Sequence, residues 1–181
     1  MTERCKPSVT VAAIVWRLRE GEIDAGSRGS TGRSGTFEFL LVEEHTPEGL
    51  MLNNPAGHLD PEESLLQGVV REVLEETACV FTPDRLIGVY LSRFVRPSQG
   101  DDVTYLRFAF GGMVGAPDPS RRLDHGIVRT LWLTLPELRA SRARHRSAQV
   151  LDCIEDHLAG RRYPLEALST SASVYVPEVK G

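Results

Sequence analysis

Glu72, Glu75 and Glu76 stand within five residues of one another, directly after Arg71. On a helix turning ~100° per residue, the three carboxylates fall within an arc of roughly 100°. Like charges at such spacing destabilise a helix by about 0.2–0.5 kcal/mol per pair, a standing penalty that a bound cation removes. Hard carboxylate oxygens select Mg²⁺, Mn²⁺ or Ca²⁺, whereas zinc would favour histidine or thiolate. The plain alternative is a solvated acidic face, with Arg71 and Glu75 as an ordinary i, i+4 ion pair. Two residues upstream, Gly57 and Glu63, bear on the choice.

These groups need a helix to hold them. Ser64-Leu65-Leu66-Gln67 reads as a capping box, in which the serine takes an orphan amide and the glutamine reaches back. Asp60-Pro61-Glu62-Glu63 offers a second start one turn earlier. Leu66, Val69, Val70, Val73 and Thr77 follow the spacing of one buried stripe, which leaves the glutamates beside it, exposed. Residues 45–62 are rich in Pro, Gly, Asn and Asp and read as loop. The β-branched runs in 7–17 and 37–42 suit strands that pair as an elongated hairpin. Between them, residues 20–35 hold five glycines and three serines with almost nothing to bury, the composition of a mobile surface loop. Further strands are expected at 86–95, 103–113 and 127–133, a short helix at 135–140 and a clearer one at 147–158. Residues 169–181 read as an extended tail. Strands interrupted by one early and one late helix imply a mixed sheet covered on both faces, an α/β/α sandwich.

The 181 residues fit one domain with a core at about 7–166. A net charge of −4 gives no reason to expect nucleic acid as a partner, while a small phosphorylated metabolite can be met locally by a metal or one arginine. No apolar run approaches the ~20 residues a bilayer needs, so no membrane association is expected. Cys5, Cys79 and Cys153 are widely spaced and form no CxxC, which fits reduced thiols in the cytoplasm.

Taken in order, the stretch reads Gly57-His-Leu-Asp-Pro-Glu-Glu63, seven residues, then Arg71-Glu72-Val73-Leu74-Glu75-Glu76-Thr77-Ala78-Cys79. This resembles the Nudix box, G-x5-E-x7-R-E-U-x-E-E-x-G-U with U aliphatic. Seven of its nine fixed positions match: Gly57, Glu63, Arg71, Glu72, Val73, Glu75 and Glu76. Chance would produce that in a chain of this length on the order of once in 10⁵. Asn54-Pro-Ala-Gly-His, Leu41-Val-Glu-Glu, Tyr105-Leu-Arg-Phe and Arg162-Tyr-Pro-Leu-Glu extend the likeness. They are similar to the bacterial branch acting on nucleoside tri- and diphosphates and on hydroxymethylpyrimidine pyrophosphate.

The resemblance implies a Nudix-type α/β/α sandwich and a Mg²⁺-dependent (or Mn²⁺-dependent) pyrophosphohydrolase. It assigns Glu72 and Glu76 as the main metal ligands, with Glu75 nearby and the Gly57 carbonyl completing the set. Arg71 would hold the carboxylates in place, Glu63 would brace loop against helix, and Glu72 or Glu76 would serve as the base. Ala78 and Cys79 depart from the pattern, which has Gly and an aliphatic there. If the left-handed cap is kept, Ala78 costs on the order of 1 kcal/mol; otherwise the helix runs on.

Arg107, on one strand face with Val103 and Tyr105, is a candidate for a substrate phosphate, and Asp124 and His125 are loop candidates for an extra acid or base. His58 is expected to shape its loop, and Phe94, Tyr105 and Trp132 to pack in the core rather than stack on a base. The rival readings are a Nudix-fold binding or regulatory module without turnover, which the intact glutamates disfavour, and RNA decapping, which the acidic balance disfavours. Because residues 22–33 offer no core, deleting them should leave kcat within about threefold of the full chain, a long surface loop being entropically cheap. Steady-state kinetics on the shortened protein checks this, and a collapse of kcat would show that the loop closes over the substrate.

Overall fold

The computed structural model describes residues 6–20, 35–96 and 101–175. Cys5, residues 21–34 of the glycine-rich segment and the end of the tail lie outside them. In chain order the elements are β1 (Ser8–Glu20), β2 (Gly35–Thr46), β3 (Gly49–Asn53), β4 (Ala56–His58), α1 (Leu65–Thr77), β5 (Phe81–Arg96), β6 (Asp101–Val114), β7 (Ile127–Thr134), α2 (Leu135–Ala140) and α3 (Gln149–Leu158). The seven strands form one mixed sheet in the order β3-β2-β1-β6-β5, with β4 pairing to β1 and β7 to β2. Among the described strands only β1 and β6 pair in parallel.

The centre of the sheet is β1, and its alternation explains the layers. Val11, Ala13 and Val15 face α1, where they pack with Val69, Val73 and Phe110. Ile14 faces the other way, into a cluster with Leu138 of α2 and Val150, Cys153 and Ile154 of α3. A strand buried on both faces needs a continuous apolar run, which is what 9–16 supplies.

One edge of β1 has two partners. Thr10–Ala12 pair with β4, whereas Trp16–Glu20 pair with β2. Between the two stretches the Ala13 amide donates to the Pro55 carbonyl. The sheet therefore splits at the middle of β1, and the 53–57 segment passes through the split.

Two expectations need correcting. Residues 45–62 are not all loop: Gly49–Asn53 turns back on β2, and Ala56–His58 fills the lower edge of β1. Both strands are short and rich in turn-forming residues, so periodicity could not reveal them; their partners create them. β5 also starts earlier than 86, at Phe81. Pro83 argues against a central strand, but β5 is an edge strand, where the missing amide costs no ladder bond.

The first helix starts at the Ser64 box: Ser64 Oγ accepts from the Gln67 amide at 3.2 Å and Gln67 Oε1 from the Ser64 amide at 2.8 Å. The alternative start at Asp60 fails because Glu62 sits at φ 67°, outside helical geometry. At the other end Ala78 keeps the left-handed cap, φ 57° and ψ 17°, and its amide donates to the Leu74 carbonyl at 3.0 Å. Of the two outcomes open for Ala78, the helix therefore stops, and an L side chain carries the strain. Cys79 is a buried free thiol that packs as a small hydrophobe in the aliphatic position. Ala78→Val, which adds β-branching to a left-handed residue, should lower stability by at least about 1 kcal/mol, while Ala78→Gly should be neutral or stabilising. Urea unfolding of the two variants measures both.

Candidate active site

The site is assembled from β4, the 58–63 turn and one wall of α1. Gly57 pairs with Val11 and so faces α1; the Glu72 carboxylate lies so close to it that a Cβ there would overlap the carboxylate. Glycine is required for close approach.

Arg71 is the hub. Its Nε and Nη2 donate to both oxygens of Glu63, at 3.0 and 2.7 Å. Nη1 donates to Glu72 Oε1 at 2.8 Å and Glu75 Oε2 at 3.1 Å, and Nη2 also reaches the His58 carbonyl at 2.9 Å. Glu63 Oε1 accepts in addition from the Asp60 amide at 2.7 Å, which closes the turn onto the helix. Burial pushes the Glu63 carboxyl up, but the Arg71 and Asp60 hydrogen bonds outweigh it and hold the group below the usual carboxylate range. The same partners hold the Arg71 guanidinium firmly protonated.

Glu76 differs from the exposed carboxylate expected of it. The buried face of α1 is Gly68, Val69, Val73, Glu76 and Thr77, so the stripe is turned by about one residue and includes Glu76, which is only 8% exposed. Leu66 and Val70, assigned to the stripe, are half-buried. The Glu76 carboxylate accepts the Ala56 amide at 2.9 Å. Burial, together with the charges of Glu72, Glu44 and Asp124, pushes its pKa up to about 8. Burial likewise raises Glu72, with Glu75 and Asp60 adding to it and Arg71 opposing. Glu75 is the most exposed of the three.

These residues suit a hard divalent cation. Burial disfavours the charge of Glu72 and Glu76, the charges of Glu44 and Asp124 add to it at Glu76, and every donor is oxygen. Among the described residues no three such groups yet converge on one point, because Arg71 engages Glu72 and the Ala56 amide engages Glu76.

Asp124 is drawn in by the backbone: its amide donates to the Glu75 carbonyl at 2.9 Å, docking the 115–126 loop on α1. Nothing ties the exposed His125 ring to the site. His58 shapes its turn, its carbonyl held by Arg71 and its ring 6.2 Å from Tyr105. Trp132 packs on the α1 core with Arg17 stacked 4.2 Å from its ring centre, whereas Phe94, expected in the core, is 40% exposed. Arg107 is buried, and it faces α3 rather than α1. Sequence reasoning missed Glu44, whose Oε1 is buried without a hydrogen bond. The only trace of it in the sequence was the acidic pair in Leu41-Val-Glu-Glu, within which the structure buries Glu43 and half-buries Glu44.

This arrangement of glycine, arginine and glutamates on a strand–turn–helix unit is the Nudix-box pattern of the sequence, folded into one wall. The family model for the NUDIX domain matches residues 28–152. Phosphatase NudJ of Escherichia coli K12 is 32% identical over 164 residues, covering 90% of this chain and 91% of that protein. A NUDIX hydrolase from Nitrosomonas europaea is 45% identical, with 92% of this chain and 98% of that one aligned at a TM-score of 0.72. The MutT protein of Methanosarcina mazei Go1 shares the fold, at 20% identity and TM-score 0.60 over 88% of this chain and 99% of that one. The chain belongs to the Nudix hydrolase family. Among the described residues no helix is long and apolar enough to cross a membrane.

The Arg71 hub generates a prediction. Glu63→Gln removes one of two charge-assisted bonds at a half-buried pair, so it should lower stability by about 1–3 kcal/mol. It should also depress kcat more than it raises KM, because Glu63 braces the wall rather than touching substrate. Thermal melts and steady-state kinetics on the same variant separate the two effects.

Proposed function

We propose that the protein hydrolyses a phosphoanhydride bond in a small nucleoside di- or triphosphate, or a pyrimidine pyrophosphate, and that it requires Mg²⁺ or Mn²⁺. The observation that carries this is the Arg71 network seating Glu72 against Gly57, next to a buried Glu76 whose pKa burial pushes up to about 8.

Glu72 and Glu76 are the principal metal ligands in this reading, with Glu75 and the Gly57 carbonyl completing the set. When bound, the ion neutralises the diphosphate and lowers the pKa of a water. The chain does the rest. Arg71 fixes the carboxylates and Glu63 fixes Arg71, which limits the reorganisation left for the reaction. Glu72 or Glu76 accepts the proton of the attacking water, a role suited to a carboxylate whose surroundings favour protonation. Asp124 adds negative charge on the loop side. No covalent intermediate is needed.

The family acts on nucleotide-like pyrophosphates, and the finer substrate assignment rests on the branch likeness through Asn54-Pro-Ala-Gly-His and Tyr105-Leu-Arg-Phe. Comparing kcat/KM over nucleoside triphosphates, the pyrimidine pyrophosphate, ADP-ribose and a dinucleoside tetraphosphate tests it; a clear preference for either of the last two would overturn the assignment.

Excess EDTA should abolish turnover and added Mg²⁺ restore it. Glu72→Gln and Glu76→Gln should each cut kcat by at least about a hundredfold. Glu76→Gln should melt no lower than the parent, because it keeps an oxygen facing the Ala56 amide and is neutral where burial disfavours the carboxylate's charge. Wild-type turnover in both variants would place the chemistry elsewhere.

A further inference from the structure

A concavity of about 240 Å³ lies past the C-terminal turn of α3, lined by Phe37, Arg85, His157, Gly160, Arg161 and Arg162, with no acid among its lining residues. It is remote from the reactive wall. Trp16, whose ring packs between Arg85 and His157, lies roughly 16 Å along β1 from Val11, the partner of Gly57. The two residues also face opposite sides of the sheet.

The fold holds each arginine in place. A Cβ on Gly111 of β6 would meet Arg85 Cγ at 2.9 Å, so the Arg85 stem lies where glycine leaves it room. Its guanidinium carbon is 5.0 Å from the Trp16 ring centre, and Trp16 stacks on His157 at 4.2 Å. Gly160, at φ 81°, turns the chain back after α3, and the Arg161 amide donates to the Asp156 carbonyl at 3.0 Å. Tyr163 then exchanges backbone hydrogen bonds with Leu86 at 2.8 and 2.9 Å, which pins Arg162 beside the strand of Arg85. Their donors are only partly used. Arg85 gives Nε and Nη2 to Asp84 at 2.5 and 2.7 Å, and Arg161 gives Nη1 to Asp156 at 3.1 Å. Arg162 has no ion pair among the described residues. The C-terminus of α3 adds only about half a negative charge, so the three guanidinium groups are not fully matched.

Three forks gathered around one small hollow suit the oxygens of a phosphate group, which they meet in pairs. The His157 ring reports the same field: burial lowers its pKa, Arg85 and Arg162 lower it further, and Asp84 opposes them. The hollow is smaller than the ~300–1,000 Å³ of pockets that enclose a whole ligand. It fits a phosphate or pyrophosphate group, with any remainder lying against the exposed Phe37 ring or in solvent. We infer that Arg85, Arg161 and Arg162 form a second phosphate-binding site, apart from the reactive wall. Its ligand is the phosphate group of a small anion, either a free inorganic phosphate or pyrophosphate or the phosphate of a nucleoside monophosphate. The site needs neither a metal nor turnover, so it stands or falls separately from the hydrolase reading.

The test uses the full chain in excess EDTA, so that no metal bridges a phosphate to Glu72 or Glu76. Inorganic phosphate, pyrophosphate and a nucleoside monophosphate are titrated at constant ionic strength. The His157 ring, assigned by its loss in His157→Gln, is followed by NMR. Pyrophosphate should bind with a Kd below about 1 mM and move the His157 titration to higher pH, because an anion offsets the Arg85 and Arg162 charges. Arg162→Gln should weaken that binding at least about fivefold, and Arg162→Lys should recover part of it. Arg161 and Arg162 are exposed, so Arg161→Gln serves as a second variant that keeps the fold. Glu72→Gln should bind pyrophosphate as wild type does. Tighter binding of the monophosphate than of inorganic phosphate assigns a nucleotide as the ligand; otherwise the bare anion is the ligand. The inference is overturned if pyrophosphate binds more weakly than about 1 mM, if the His157 ring does not respond, or if Arg161→Gln and Arg162→Gln both bind like wild type. Loss of binding in Glu72→Gln would put the anion on the Arg71 wall and overturn it equally.

Discussion

A single guanidinium organises the reactive wall. Arg71 spends its donors on Glu63, Glu72, Glu75 and the His58 carbonyl, and so ties three carboxylates and the turn before α1 into one unit. Arginine is suited to this because its planar fork is always charged and meets carboxylates in pairs. Lysine, a single point charge, could hold one partner but not four in fixed directions. With Glu63 locked on both oxygens, the turn cannot drift from the helix, and Gly57 stays where the Glu72 carboxylate can lie against the backbone.

The second constraint is the burial of Glu76. Its carboxylate accepts one backbone amide, from Ala56, and has no ion pair among the described residues, while Glu72, Glu44 and Asp124 press on it. Such a group lowers the stability of the empty protein and raises its affinity for whatever neutralises it. Arg107 shows the same logic with the opposite sign. Glu76 reaches the split where β1 exchanges β4 for β2, Arg107 lies across β1 on β6, and burial disfavours the charge of both. Functional sites are where such local penalties are expected to persist, with the rest of the core carrying the deficit.

The core does so by plain means. The β1 strand is buried on both faces, α1 and α3 cover opposite sides, and most strands pair antiparallel with near neighbours in sequence. Buried acids on β2 are handled differently from those of the site. Glu38 is paired with Arg17 and Arg19, and Glu43 with Arg129 and Arg144, and the Arg129 and Arg144 hydrogen bonds hold the Glu43 carboxyl below its usual range. Glu44, the next residue, has only a longer ion pair, to Arg146 Nε at 3.9 Å, and its Oε1 is buried without a hydrogen bond among the described residues. Glu43 and Glu44 thus differ in how fully their charge is matched.

Much of this was written in local sequence. The capping box at Ser64, the run of β-branched residues in β1 and the helical spacing of α3 act through neighbours in the chain, so each element could be read directly. The spacing of Gly57, Glu63, Arg71, Glu72, Glu75 and Glu76 was legible for the same reason: they lie on one turn and one helix, where sequence distance sets spatial distance. Three things were not local. The strands β3 and β4 exist because β2 and β1 offer them edges, not because their residues favour extended chain. The rotation that buries Glu76 and leaves Val70 half-covered was decided by how α1 settles on the sheet, which an isolated helical wheel leaves undetermined by about one residue. The pairing of Thr10 with Arg107 joins residues nearly a hundred positions apart, and only the parallel register of β1 and β6 brings them side by side.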